Sequence, residues 1–169
     1  APKSVSVLAV TLNDERLVAA HAEATRIAFR ELETFAATRV RKQGNQRDRT
    51  TGNLVAAQFI HTSSRELDPL LHTHCTVFNA TFDDQERCWK ALQARPMYDA
   101  IRYATAVYRN ELAKQIQQIG YGIVPAKHGF EIEGVSDEIL KRFSKRAQQR
   151  DEVVRVMEQK LGRKLSNDE

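Results

Sequence analysis

Little in this chain could staple it or anchor it in a bilayer. It has two cysteines, Cys75 and Cys88, and they do not form a Cys-x-x-Cys pair. So thin a use excludes a disulfide framework and suits a reducing compartment. Cys75 falls in an expected strand beside a cluster of histidines and reads as a small buried apolar residue. No apolar run approaches the roughly 20 residues of a membrane helix, and no signal-peptide pattern opens the chain. Internal repeats, low-complexity tracts and a clear linker are also missing. The chain opens on Ala1-Pro2-Lys3-Ser4 without an initiator methionine, so a piece of a longer protein is expected.

What is present fits one ordinary domain: 169 residues, 41% of them apolar and 28% charged. The net charge of +4 is a mild basic bias. It favours an anionic partner without establishing one.

Hydrophobic patterning divides the chain into elements. Residues 3–11, KSVSVLAVT, are rich in β-branched residues and predict a strand. Asn13-Asp14 then cap an amphipathic helix whose stripe is Leu17, His21, Ala24, Ala28, Leu32 and Phe35. His21 reads as a boundary residue with its bonds satisfied. The stretch TRVRKQGNQRDRTTG predicts a basic hairpin. Its cations Arg39, Arg41, Lys42, Arg47 and Arg49 serve either a solvated loop or an arm that contacts phosphates. Two further strands, 53–61 and 72–81, flank a ten-residue loop. A long helix follows, with Met97, Ile101, Ala104, Tyr108, Leu112, Ile116 and Ile119 as its stripe and Gly120 as its stop. GIVPA and FEIEGV pair through Lys127-His128-Gly129. Ser136 caps one or two cationic helices, and Ser166 has the chemistry of another cap. Hairpins outnumber alternating strand–helix units. The expected class is therefore α+β, an antiparallel sheet forming a palm with helices packed on one face.

Three of the five histidines lie in HTSSRELDPLLHTH, residues 61–74. Side chains alternate along a strand, so His72 and His74 share a face while Thr73 and Cys75 point the other way. Antiparallel pairing of the flanking strands then brings His61 beside His72. Three imidazoles at one hairpin edge suit a metal with an open coordination position. They equally suit polar strand ends that hold no ion. Zinc, manganese, cobalt, nickel or copper fits imidazole better than calcium does. Magnesium needs oxygen ligands such as a substrate phosphate to complete its shell.

The same stretch resembles the histidine motif of MobF-type conjugative relaxases, members of the HUH endonuclease superfamily. The likeness is carried by His61, Ser64-Arg65, Asp68-Pro69 and Leu71-His72-Thr73-His74. APKSVSV, TRVRKQG, TGNLVAAQF, YRNELAKQIQQIGY, KHGFEIEGV and EILKRFSKR follow that family's order through nearly the whole chain. The resemblance implies an HUH-like palm and a nickase that cuts one DNA strand at an origin of transfer. A tyrosine attacks the phosphodiester and leaves a 5′-phosphotyrosine. One divalent metal assists, magnesium or manganese in action, with zinc, nickel or cobalt able to sit on three histidines. The implied ligands are His61, His72 and His74. The implied DNA contacts are Lys3, Ser4, Arg39, Arg41, Lys42, Arg47, Arg49 and Arg65. Asp68 is expected to brace the histidines or their loop. Partners implied are single-stranded and hairpin DNA of the origin, relaxosome and type IV secretion proteins, and no membrane. The setting is the bacterial cytoplasm.

In that family the nucleophilic tyrosine lies upstream of the point where this chain starts. Tyr98, Tyr103, Tyr108 and Tyr121 read instead as packing or boundary residues. Residues 1–169 are thus expected to be a single domain, a fragment of a relaxase domain, inactive alone in forming the tyrosyl adduct. A sheet missing a strand exposes an edge through which a dimer could form. Two other functions stay open. One is a three-histidine zinc hydrolase with Glu66 or Asp68 as its base. The other is a non-catalytic basic module that binds single-stranded DNA, its histidines incidental.

Overall fold

The structure is a computed structural model that describes residues 1–42, 44–127 and 129–164. His128 and Ser166, both assigned roles above, lie outside those residues.

Residues 3–11 are not a strand but helix α1 (Lys3–Thr11). Ser4, Val5, Ser6, Val7 and Ala9 are all buried. A helix buried on several sides carries no one-sided stripe, and its alternating Ser and Val imitate a strand. Distant groups fix the outcome. The Glu131 carboxylate accepts from the backbone N–H of Lys3 (3.4 Å) and of Ser4 (2.7 Å). A negative charge there meets the positive end of the helix. Ser6 Oγ accepts from the backbone N–H of Leu71 at 3.1 Å.

Helix α2 (Glu15–Glu33) starts where expected, with the Asp14 side chain accepting from Arg16 N. The long predicted helix is broken at Ala100 into α3 (Arg95–Asp99) and α4 (Ile101–Gln118). Gly120 ends it with φ +103°, a conformation that favours glycine. The buried stripes of α2 and α4 pack on each other, and α1 and α2 pack against the back of strand β4. Val5, Ala9, Leu17, Ala20, Ala24, Leu71, Leu112, Ile116, Phe130 and Ile132 make this core.

Every strand pairing is antiparallel. The expected basic hairpin is β1 (Ala37–Lys42) with β2 (Asn45–Thr50), and β7 (Leu92–Gln93) lies on the other edge of β1. The histidine hairpin is β3 (Ala56–Ser63) with β4 (Pro69–Val77). β5 (Thr81–Asp83) pairs with β6 (Cys88–Lys90), and β8 (Ile123–Ala126) with β9 (Gly129–Ile132). Helices α5 (Asp137–Arg142) and α6 (Lys145–Leu161) close the described chain. The α+β class holds. Among the described residues, however, the strands form four small sheets rather than one continuous palm.

Candidate metal centre and nucleic-acid surface

Strand register builds the centre. His61 pairs with His72, and Phe59 with His74. All four side chains therefore share one face. The ladder shifts between His61 and Ser63, and the chain turns within residues 64–68 instead of a ten-residue loop. Ser64 organises that turn: its Oγ accepts from the N–H of Glu66 and of Asp68, each at 3.2 Å.

The three imidazoles converge. Ring centroids are 5.4 Å apart for His61–His72, 5.0 Å for His61–His74 and 4.9 Å for His72–His74. His72 Nδ1 lies 2.8 Å from the carbonyl oxygen of Leu70, to which it donates. That bond fixes the tautomer and frees Nε2 as a lone pair. The Nε2 atoms of His72 and His74 stand 3.2 Å apart. Two imidazole nitrogens each about 2.1 Å from one ion, at a tetrahedral angle, stand about 3.4 Å apart. The spacing of this pair thus fits a shared ion. Among the described residues, no three His, Cys, Asp or Glu side chains already stand in complete ligating geometry.

Asp68 joins the turn that links the histidine strands, its backbone bonded to Ser64 in both directions. It is buried, and its carboxylate accepts from the backbone N–H of Lys145 at 2.7 Å, at the start of α6. The group behind His72 is the Leu70 carbonyl, which sequence patterns cannot reveal because every residue has one. As the candidate hydrolytic base, Asp68 is engaged by Lys145, and Glu66 is exposed in the turn.

The expected DNA contacts divide. Ser4 is fully buried, its hydroxyl donating to Glu131 and accepting from Ile132 N. Lys3 Nζ donates to the Pro69 carbonyl at 3.0 Å. Arg49 Nη1 lies 2.7 Å from Asp83 Oδ2 and 3.4 Å from Glu86. Burial alone would raise the Asp83 carboxyl, but Arg49, Lys90 and two backbone N–H groups bring it down to about 2. All three side chains are thus engaged within the protein, Ser4 in the core and Lys3 and Arg49 half-buried. Arg41, Lys42, Arg47 and Arg65 are exposed, and exposed Arg39 donates to Gln93 Oε1 at 3.2 Å. Register separates the cations of the arm. Arg39 and Arg41 lie on one face, Lys42, Arg47 and Arg49 on the other.

Three tyrosine hydroxyls are engaged elsewhere. Tyr103 donates to Glu31, Tyr121 donates to Asp14, and Tyr108 bonds the ring of His21. Tyr98 is exposed. Thr73 and Cys75 do point to the helix side, opposite the histidines, where they line an apolar groove of about 840 Å³. Cys75 is exposed in that groove rather than buried.

Comparison with known proteins gives matches along nearly the whole chain. The profile of the TrwC relaxase family matches residues 1–169. The multifunctional conjugation protein TraI of Escherichia coli is 39% identical over 160 residues, covering 88% of this chain and 9% of TraI. TraI of strain K12 is 39% identical over 159 residues, with the same coverage. The conjugative relaxase TrwC in complex with oriT DNA superposes with TM-score 0.89 at 35% identity, in both a metal-free and a metal-bound structure. Those matches cover 99% of this chain and 58% of TrwC. TrwC with a 27-mer DNA comprising the recognition hairpin and the cleavage site superposes with TM-score 0.88 at 34% identity, covering 99% of this chain and 60% of that one. This chain thus spans about a tenth of the curated relatives and somewhat over half of the solved domain. From the matched length, the identity and the shared fold together, it follows that the chain belongs to the TrwC family of MobF-type relaxases.

Proposed function

We propose that this chain supplies the metal-binding hairpin and part of the DNA surface of a relaxase that nicks one strand at a conjugative origin of transfer. The carrying observation is the meeting of His61, His72 and His74 on one face of the β3–β4 hairpin. These three residues would hold one divalent ion, which when bound polarises a non-bridging oxygen of the scissile phosphate. The chain's own residues do the rest. Leu70 keeps the His72 ring turned outward. Arg39, Arg41, Lys42, Arg47 and Arg65 grip the DNA backbone through salt-sensitive contacts. Phe59, 53% exposed and paired across the hairpin with His74, offers a face on which a base can stack.

Residues 1–169 act as one unit within a longer relaxase, which works in the bacterial cytoplasm with single-stranded and hairpin DNA, relaxosome proteins and a secretion channel. No helix among the described residues is long and apolar enough to cross a membrane. The nucleophilic tyrosine is assigned to another segment, a reading supported by the commitment of Tyr103, Tyr108 and Tyr121 to other bonds and tested below for exposed Tyr98 as well.

Titration of this chain with manganese and zinc, by calorimetry, tests the centre. One ion per chain is expected, and His72→Ala should weaken binding by at least about tenfold. Unchanged affinity in all three His→Ala variants would refute the centre. Incubating the chain with single-stranded oligonucleotides and running a denaturing gel tests the rest. No covalent product is expected, and a protein–DNA adduct would show that one of the four tyrosines is the nucleophile.

A further inference from the structure

Directly behind the metal-bearing strand lies a histidine with no part in the reading above. His21 on α2 is 3% exposed. Its Nε2 is 2.9 Å from Thr73 Oγ1, and its Nδ1 is 2.8 Å from the Tyr108 hydroxyl. The Tyr108 ring meets it edge-on, with centroids 5.7 Å apart. One imidazole therefore joins α2, β4 and α4. Thr73 is the residue between His72 and His74, and it points to the opposite face.

Bonds from Ala1, Lys3 and Ser6 hold β4 at Pro69 and Leu71, just before the two histidines. Only β3 pairs with it among the described strands, and that ladder shifts just past His61. Beyond Leu71 the strand is paired on one edge, and a small twist at residue 73 would swing both flanking side chains. We propose that His21 is a positioning residue for the metal centre: by holding the Thr73 hydroxyl from behind, it fixes the pleat that sets the Nε2 atoms of His72 and His74 3.2 Å apart. This rests on the metal reading above. A neutral imidazole has one donor and one acceptor nitrogen, which matches two hydroxyl partners. Burial keeps the ring neutral, lowering its pKa to about 4, with smaller contributions from the Ala1 ammonium and His72.

Thr73→Val keeps the shape and removes the hydroxyl, whereas Thr73→Ser keeps the hydroxyl. Two quantities are read on this chain: manganese and zinc affinity by chelator competition, and the ring nitrogen shifts of His72 without metal. Thr73→Val should weaken affinity about tenfold at unchanged circular dichroism, as loss of outer support does in other metal sites. It should also turn the single Nδ1–H tautomer of His72 into a mixture. Thr73→Ser should restore both. Tyr108→Phe, which keeps its ring, should act in the same direction if Thr73→Val fails to fold. A merely structural tie would lower the melting midpoint and leave affinity and tautomer as they were, which would overturn the proposal. His72→Ala separates the two ideas. If it abolishes binding, affinity in Thr73→Val decides. If it changes nothing, the metal reading falls and the His72 tautomer alone decides the positioning role.

Discussion

A single carbonyl, that of Leu70, decides which nitrogen of His72 faces outward. On the other side of the strand, burial decides that His21 stays neutral. The consequence for stability has a definite sign. An unfolded His21 takes up a proton near its ordinary pKa of 6.5, while the folded ring resists until about 4. Between those values the unfolded state binds more protons, so stability rises with pH. The contribution is fully present above about 6.5 and lost as pH falls toward about 4. Urea midpoints across that window should fall with acidity, and His21→Gln should flatten the slope. An unaltered slope would mean that the Ala1 ammonium, which burial lowers to about 6, carries the effect instead. The three outward histidines were legible from spacing, because a strand has a fixed period and a hairpin a predictable register. His21 was not. Its partners lie 52 and 87 residues away, and a lone histidine on an apolar stripe looks the same whether or not it holds anything.

Among the elements, the hairpins announced themselves and α1 did not. Glycine and polar turns punctuate alternating strands, and that signal is local. The helical state of residues 3–11 comes from Glu131 and Leu71, far along the chain, which satisfy its first turn and its flank. The β-branched penalty in a helix is only a few tenths of a kcal/mol per residue, so such support outweighs it. Burial makes the choice costly to disturb. Leu71 and Val5 are both fully buried in the shared core, and Leu71→Ala should lower stability by about 2–5 kcal/mol. Chemical denaturation checks this, and a loss below about 1 kcal/mol would mean that the site collapses around the gap. The basic arm shows how register sorts residues that composition lumps together. Arg41→Ala should reduce the slope of log affinity for single-stranded DNA against log salt by roughly one contact, at an unchanged melting midpoint. Arg49→Ala should instead lower the midpoint, because Asp83, 1% exposed, loses one of its two cationic partners.

At the scale of the whole molecule, the histidine hairpin stands out from a well-filled core. Phe59, Ile60 and Phe78 are 53%, 46% and 53% exposed, and the outer edge of β3 has no partner among the described strands. Open edges and apolar faces invite pairing with another chain. We expect concentration-dependent dimers in sedimentation, abolished by Ile60→Lys. A monomer at every concentration would remove that expectation. The α+β class was readable from the excess of hairpins over alternating units. The separation into four small sheets was not, since it depends on which strands meet in space and not on how each one reads.

Asp68 stands in the turn that joins the two histidine strands, yet its carboxylate grips the first residue of α6, which carries Arg146, Arg150, Arg155 and Lys160. One oxygen thus tethers a cation-rich lever to the tip of the histidine hairpin. Any polyanion that tugs the lever will be felt at the tip, and cutting the tether with Asp68→Ala should let the two move independently.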